Sequence, residues 1–164
     1  MPVITLQTVI NAPIGVIFNL SRSIDLHKIS TAHTNEEAVD GKTSGLIGLG
    51  ESVTWKAKHF GVTQLLTSKI TAFNQPSYFV DEMVSGAFKR FKHEHIFVVQ
   101  NGKVLMTDVF NYTSPYGVFG RIADVLFLKR YMTNLLTERN KIIKAFAEDK
   151  SKHSALLLFV STSV

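Results

Sequence analysis

From Val3 to Ile10 apolar and polar side chains alternate in steps of two, the pattern of a strand with one buried face. Asn11-Ala12-Pro13 then interrupts it. Asn11 suits a helix N-cap, Pro13 suits a first helical turn, and Ile14, Ile17, Phe18 and Leu20 follow at helical spacing. Ser23 to Ser30 reads as a second short helix. Helices this short are marginal alone and must pack on something.

Beyond them the chain is strand-rich. Thr34 to Glu51 holds Gly41, Gly45, Gly48 and Gly50 and reads as turns around a short strand. Glu51 to Gly61 alternates cleanly: Val53, Trp55, Ala57 and His59 share one face, Thr54, Lys56 and Lys58 the other, and the lysines mark the wet side. Further strands are expected at Val62 to Phe73, Tyr78 to Val84, Phe88 to Gln100 and Lys103 to Ser114. Asn101-Gly102 between the last two is a strong hairpin signal.

After Ser114-Pro115-Tyr116-Gly117 the period lengthens. Ile122, Val125, Leu126, Met132, Leu135, Leu136, Ile142, Ile143 and Phe146 recur every three or four residues, which predicts one helix from about Arg121 to Ala147, about 40 Å long. Lys129, Arg130, Glu138, Lys141 and Lys144 form its polar side. The last segment, Ser151 to Val164, fits no element and is read as a disordered tail or a docking patch. The expected organisation is an α+β domain over residues 1–147 with a C-terminal tail at 148–164. Consecutive strands with short turns make an antiparallel sheet of six to seven strands, and the apolar stripe of the long helix should cover it.

Bulk properties narrow the function. The 45% hydrophobic and 19% charged composition excludes a disordered chain. The net charge of +5 raises nucleic acid as a partner, but the basic residues are scattered, so none is expected. The absence of cysteine removes disulfides, thiolate ligands and a cysteine nucleophile. No signal-peptide pattern is visible and the longest apolar run, Ala155 to Val160, is too short to span a bilayer, so a cytoplasmic protein without stable membrane insertion is expected. Homodimerisation stays open.

Local motifs add a resemblance. "INAPIGVIFNL", "GLIGLGESVTWKAKHFG", "FVDEMVSGAFKRFKHEHIF" and "LMTDVFNYTSPYG", with the element order over Val3 to Ala147, resemble the START-like, birch-pollen-allergen-like (SRPBCC) superfamily, and within it a bacterial subgroup of ligand-binding members. The resemblance implies a helix-grip fold, in which a curved antiparallel sheet wraps the C-terminal helix around a cavity. It maps the subgroup pattern onto Asp81, Gly86, Phe88, His93, His95, Phe97, Asp108, Tyr112, Pro115, Gly117 and Arg139. The superfamily holds lipid and hormone carriers, polyketide cyclases and aromatases, and oxygenase domains, and fold alone does not choose among them.

The residues supply candidate chemistry. On the strand "FKRFKHEHIFVV", Phe91, His93, His95, Phe97 and Val99 share a face opposite Arg90, Lys92 and Glu94, so the histidine face should point inward. With a two-residue turn, paired positions sum to about 203, which sets His95 opposite Asp108. The inferred cavity wall comprises Trp55, His59, Phe91, His93, His95, Phe97, Asp108, Phe110 and Tyr112, with Asp81 on the preceding strand. Arg139 on the long helix either reaches inward to Asp81 or Asp108, the option the resemblance implies, or keeps its head in solvent over a packed stem. Three readings of the histidines compete: buried imidazoles satisfied by Asp108, Asp81, Tyr112 or backbone; recognition of a ligand's carboxylate or hydroxyl; and a metal site joined by His59 and a carboxylate. A histidine-X-histidine strand is a weak metal motif, so no metal and no cofactor are expected. "GLIGLG" precedes a strand rather than opening a helix and is a turn, not a phosphate loop.

The expected function is binding of a hydrophobic or amphipathic small molecule between sheet and helix. The alternatives are a cyclase- or dehydrase-like enzyme using His93 or His95 with Asp108 as an acid–base pair, and a protein-interaction module.

Overall fold

The computed structural model describes residues 2–115, 122 and 127–161. The alternating segments become β1 (Val3–Ile10), β2 (Glu37–Gly41), β3 (Ser52–His59), β4 (Val62–Asn74), β5 (Tyr78–Ser85), β6 (Arg90–Gln100) and β7 (Lys103–Thr113). They form one antiparallel sheet in the order β1-β7-β6-β5-β4-β3-β2. Neighbours in sequence are neighbours in the sheet except β1, which pairs with β7. The chain therefore crosses from one sheet edge to the other through α1 (Ile14–Ser21), α2 (Ile24–Ser30) and a short 3₁₀ turn at Ala32–Thr34. Register shifts between Thr67 and Ser68, Ile70 and Ala72, and Ala38 and Asp40 mark bulges, which bend a sheet and increase its twist.

The β6–β7 register follows the Asn101-Gly102 turn: His95 pairs with Asp108, Phe97 with Met106, and Gln100 with Lys103. The face assignments hold except at the end of β6, where Val99, expected to share the inward histidine face, runs past the covered part of the sheet and is exposed. Val53, Trp55 and Ala57 are buried while Lys56 and Lys58 are exposed, and Val104, Met106, Asp108, Phe110 and Tyr112 are all buried.

Helix starts differ in detail from the pattern. Asn11 does not cap α1: Pro13 is the N-cap residue, its carbonyl accepting from the Val16 and Ile17 N–H groups, while the Asn11 N–H donates to Glu148 Oε1 at 2.9 Å. Two residues separate Asn11 from the first helical residue, too far for its side chain to reach the first free N–H groups. Ser23 does cap α2, its hydroxyl accepting from the Leu26 N–H at 3.2 Å.

The long helix, α3, runs Lys129–Glu148, about 30 Å, and Leu128 before it already has helical backbone angles. The expected start at Arg121, with Val125 and Leu126, lies outside the described residues, as does Gly117. Ser151 and its successors, which carry no periodic pattern, are helical: α4 spans Lys150–Ser161. Asp149 explains its start, since Oδ1 accepts from the Ser151 and Lys152 N–H groups at 3.0 and 3.2 Å, an N-cap arrangement. Leu156 and Leu157 pack on the core.

That core has two apolar clusters. In one, Phe18 of α1 meets Phe73, Phe79 and Phe97 edge-on at 5.3 to 5.5 Å. In the other, Ile4, Phe91, Phe110 and Tyr112 pack with Leu136 of α3. Along β6 the inward residues run Phe91, His93, His95, Phe97, so the histidines form a polar layer between the two clusters.

Candidate ligand cavity and the buried histidine–aspartate cluster

Between sheet and α3 lies a cavity of about 630 Å³. Trp55, Leu66, Phe88, Phe91, Phe110 and Leu136 supply much of its apolar wall. A smaller cavity of about 80 Å³ adjoins it toward α1 and α2, sharing Trp55, Ser68, Asp81 and His93 with the larger. The polar layer thus borders both.

Its centre is Asp108, fully buried on β7. A 3.0 Å hydrogen bond joins His93 Nε2 to Asp108 Oδ1. His95 Nδ1 lies 2.9 Å from the same oxygen without the alignment of a hydrogen bond, so that contact is electrostatic. Asn140 Nδ2 donates to Asp108 Oδ2 at 2.7 Å, and Arg139 Nη1 approaches Oδ1 at 3.5 Å. Arg139 is buried and its Nη2 also donates to the Ser21 carbonyl at 2.9 Å, which ties α3 to α1. On the cavity side Asp81 of β5 holds His95 Nε2 at 3.1 Å and sits 3.8 Å from His93 Nδ1. Each imidazole therefore stands between two carboxylates.

Electrostatics follow from this packing. Burial opposes ionisation of Asp108, but the hydrogen bond from His93 and the contact with His95 outweigh it and hold the carboxyl well below the usual range. Burial likewise opposes the Asp81 charge, and His95 and His93 again pull the value down. Burial and the neighbouring His95 push His93 down. Burial disfavours a charged His95 too, yet Asp108 and Asp81 together raise it. The two histidines, two residues apart on one strand, therefore diverge, with the proton favouring His95.

The wall inferred from alternation divides. Trp55, His59, Asp81, Phe91, His93 and Phe110 line the large cavity. His95 and Arg139 border only the small one. Phe97, Asp108 and Tyr112 line neither: Phe97 is covered by Phe18, Asp108 by Arg139 and Asn140, and Tyr112 by Phe88 and Phe110. Alternation assigns a face, not how far helices and neighbouring rings cover it. Nor does His59 join the histidine pair; its Nδ1 pairs with Tyr131 OH at 2.7 Å. Glu94, between the histidines in sequence, points the other way and bonds Lys92 and Tyr78.

The structure adds residues that sequence reasoning missed. Asn140 had a readable signal: Leu136, Asn140, Ile143 and Ala147 form one buried helix stripe, and an amide on such a stripe needs a buried partner. His27, its ring tilted over Trp55 at 4.3 Å and 3.4 Å from Glu36, had none, because α2 and β3 meet only in the folded chain.

No protein-family model matches the chain, and no curated protein matches it by sequence. Solved structures do. The di-domain ARO/CYC StfQ from the steffimycin biosynthetic pathway superposes with a TM-score of 0.72 at 11% identity, covering 91% of this chain and 51% of StfQ. TTHA0849 from Thermus thermophilus gives 0.68 at 16% identity, covering 88% and 98%. The major latex-like protein 151 of Panax ginseng gives 0.62 at 16% identity, covering 90% and 98%.

The chain has the helix-grip fold that these structures share. The helix-grip architecture accounts for a cavity walled by one sheet face and one helix, because a curved sheet cannot close on a single helix along its whole length. Within it, this chain puts an acid–base-competent group, His93, at the cavity wall with a buried carboxylate behind it. No helix among the described residues is long and apolar enough to cross a membrane.

Proposed function

We propose that this helix-grip protein binds a hydrophobic or amphipathic small molecule in the cavity between sheet and C-terminal helix. The observation that carries the reading is the cavity itself: about 630 Å³, largely apolar and aromatic, with His93 and Asp81 on its wall. Sites for drug-sized ligands span roughly 300–1,000 Å³ and combine apolar walls with a few orienting polar groups. Ring burial supplies affinity, while His93 and Asp81 orient one polar group of the ligand. A hydroxyl suits that position better than a carboxylate, which would meet the Asp81 charge.

The test is native mass spectrometry of protein purified without denaturation, alongside titration with a fluorescent apolar probe. We expect a bound small molecule or saturable probe binding. Absence of both would sink the reading.

A second reading is a cyclase- or dehydrase-like enzyme in the same cavity. It is favoured by the 3.0 Å His93–Asp108 bond, which orients an imidazole at the wall, and by the structural likeness to StfQ. Turnover of a candidate substrate that survives replacement of both His93 and His95 by alanine excludes that mechanism.

A further inference from the structure

The cavity reading uses the polar layer only as an anchor, yet its geometry has a more specific chemistry. His93 Nδ1, His95 Nε2 and the Asp81 carboxylate converge, with a ligand-capable atom of each residue within 4.8 Å of the others. The donors come from two adjacent strands, β5 and β6, in which Asp81 pairs directly with His93. They rest on the rigid part of the sheet rather than on loops.

We propose that Asp81, His93 and His95 form a binding site for one divalent transition-metal ion of the zinc or iron(II) type. Three observations carry this. The first is spacing. At metal–nitrogen and metal–oxygen bonds of about 2.0–2.2 Å, octahedral to tetrahedral angles place adjacent ligand atoms about 2.8–3.6 Å apart. The Asp81–His95 separation of 3.1 Å lies in that range, and the Asp81–His93 separation of 3.8 Å enters it with a small rotation of the Asp81 side chain.

The second is the support behind the donors. Metal-bound histidines present one ring nitrogen to the ion and the other to a carboxylate or carbonyl, which fixes ring orientation. Here Asp108 faces the rear nitrogen of both imidazoles, by an aligned hydrogen bond to His93 Nε2 at 3.0 Å and by an unaligned, electrostatic contact with His95 Nδ1 at 2.9 Å, and Asn140 holds the other Asp108 oxygen at 2.7 Å. Asp108 is thus a positioning residue, not a ligand.

The third is charge and access. Asp81 and Asp108 bring two negative charges into a buried layer where Arg139 supplies one positive charge. The remaining deficit is met by a proton on His95 or by a cation in front of it. Asp81 and His93 border the cavity, which leaves further coordination positions open to water or to a ligand oxygen. Two imidazoles and one carboxylate suit zinc, iron(II), cobalt or nickel rather than calcium or magnesium. An ion there would reverse the preference for a hydroxyl, since an anionic oxygen could then complete its coordination.

The experiment uses the full chain, stripped with chelator, and titrates Zn²⁺ by calorimetry and Co²⁺ by its visible d–d absorption. We expect about one ion per chain and cobalt bands altered by oxygen-donor ligands. Losing a supporting partner of a metal site costs ~10–100-fold in affinity, so losing a ligand in Asp81→Asn should weaken binding at least ~100-fold. His33→Ala, which removes an exposed histidine, should leave binding unchanged. X-ray absorption of the zinc-loaded wild type should show two imidazoles and needs no variant to fold. No stoichiometric binding, binding unaffected by Asp81→Asn, or a spectrum without imidazole scattering would each overturn the proposal. A protein that takes up apolar probes but no metal would leave the cavity reading standing and remove this one.

Discussion

His95 lies directly opposite Asp108 across β6 and β7, yet the aligned 3.0 Å hydrogen bond to Asp108 comes from His93, its diagonal neighbour. Diagonal neighbours on a sheet face stay within reach of long or aromatic side chains. Here the diagonal bond frees His95 to face Asp81 at 3.1 Å. One buried carboxylate thus organises two imidazoles that share a strand.

Asp108→Ala should therefore be costly. It would leave Arg139 and Asn140 without their buried acceptor and both histidines without support. Removing one partner of a buried ionic network costs about 3–5 kcal/mol. Urea denaturation of wild type and variant measures it; a loss below ~1 kcal/mol would contradict the central role given to Asp108.

Stability should depend on pH in a defined way. Asp108 is depressed when folded, so its contribution is present above the unfolded carboxylate value of about 3.9 and is lost as pH falls toward the folded value. His95 is raised, so its contribution is complete below the unfolded histidine value of about 6.5 and is lost as pH rises through the folded value. His93 is lowered and acts on the other side of that value: it is buried neutral, so its contribution is complete above about 6.5 and is lost as pH falls toward the folded value. Urea midpoints across the pH range should show a steep acid loss that Asp108→Asn flattens, and a decline above neutrality that His95→Gln removes.

Filling the cavity should separate binding from stability. Ala57 is a buried wall residue of β3. In Ala57→Phe the added ring occupies open space, so the change in stability should stay within about 1 kcal/mol, less than the overpacking cost in a filled core. Apolar-probe affinity should fall at least ~10-fold, equivalent to ~1.4 kcal/mol. Unaltered probe affinity would place binding elsewhere.

Two glycines should respond differently to alanine. Gly41 has φ +73°, and a Cβ there would collide with the Ser52 carbonyl oxygen across the β2–β3 pair. Gly50 has φ +80° but open space around it. Gly50→Ala should cost about 1 kcal/mol for the left-handed backbone alone. Gly41→Ala should cost more, about 2–3 kcal/mol with the added backbone strain. Thermal melting of both variants checks the order.

Truncation after Asp149 should weaken the fold without abolishing it. Leu156 and Leu157 of α4 are half-buried against the core, and full burial of a leucine contributes about 1.5–3 kcal/mol. We expect a loss of about 2–4 kcal/mol, read by urea denaturation, with the sheet signal in circular dichroism retained.

Much of this architecture is legible in the chain because it rests on local periodicity. Alternation over Ser52–His59 and Arg90–Gln100 sets the inward faces, Asn101-Gly102 sets the register that puts His95 beside Asp108, and the three-to-four spacing around Leu136 and Ile143 sets the face of α3. The helix Lys150–Ser161 was hidden because Ala155 to Val160 is continuously apolar and carries no period, although Asp149 offered a capping residue.

The site is different. Whether an inward residue lines the cavity depends on what the helices cover, which is why Phe91 and Phe110 face open space while Phe97 meets Phe18 and Asp108 meets Asn140. Which ring nitrogen meets which carboxylate depends on side-chain angles that register does not specify. Asp81 meets the histidine pair from the neighbouring strand, while Arg139 and Asn140 reach Asp108 from a helix, 31 and 32 residues further along the chain. Only the curvature of the sheet over α3 brings their side chains into one buried layer, and that curvature is a property of the assembled fold.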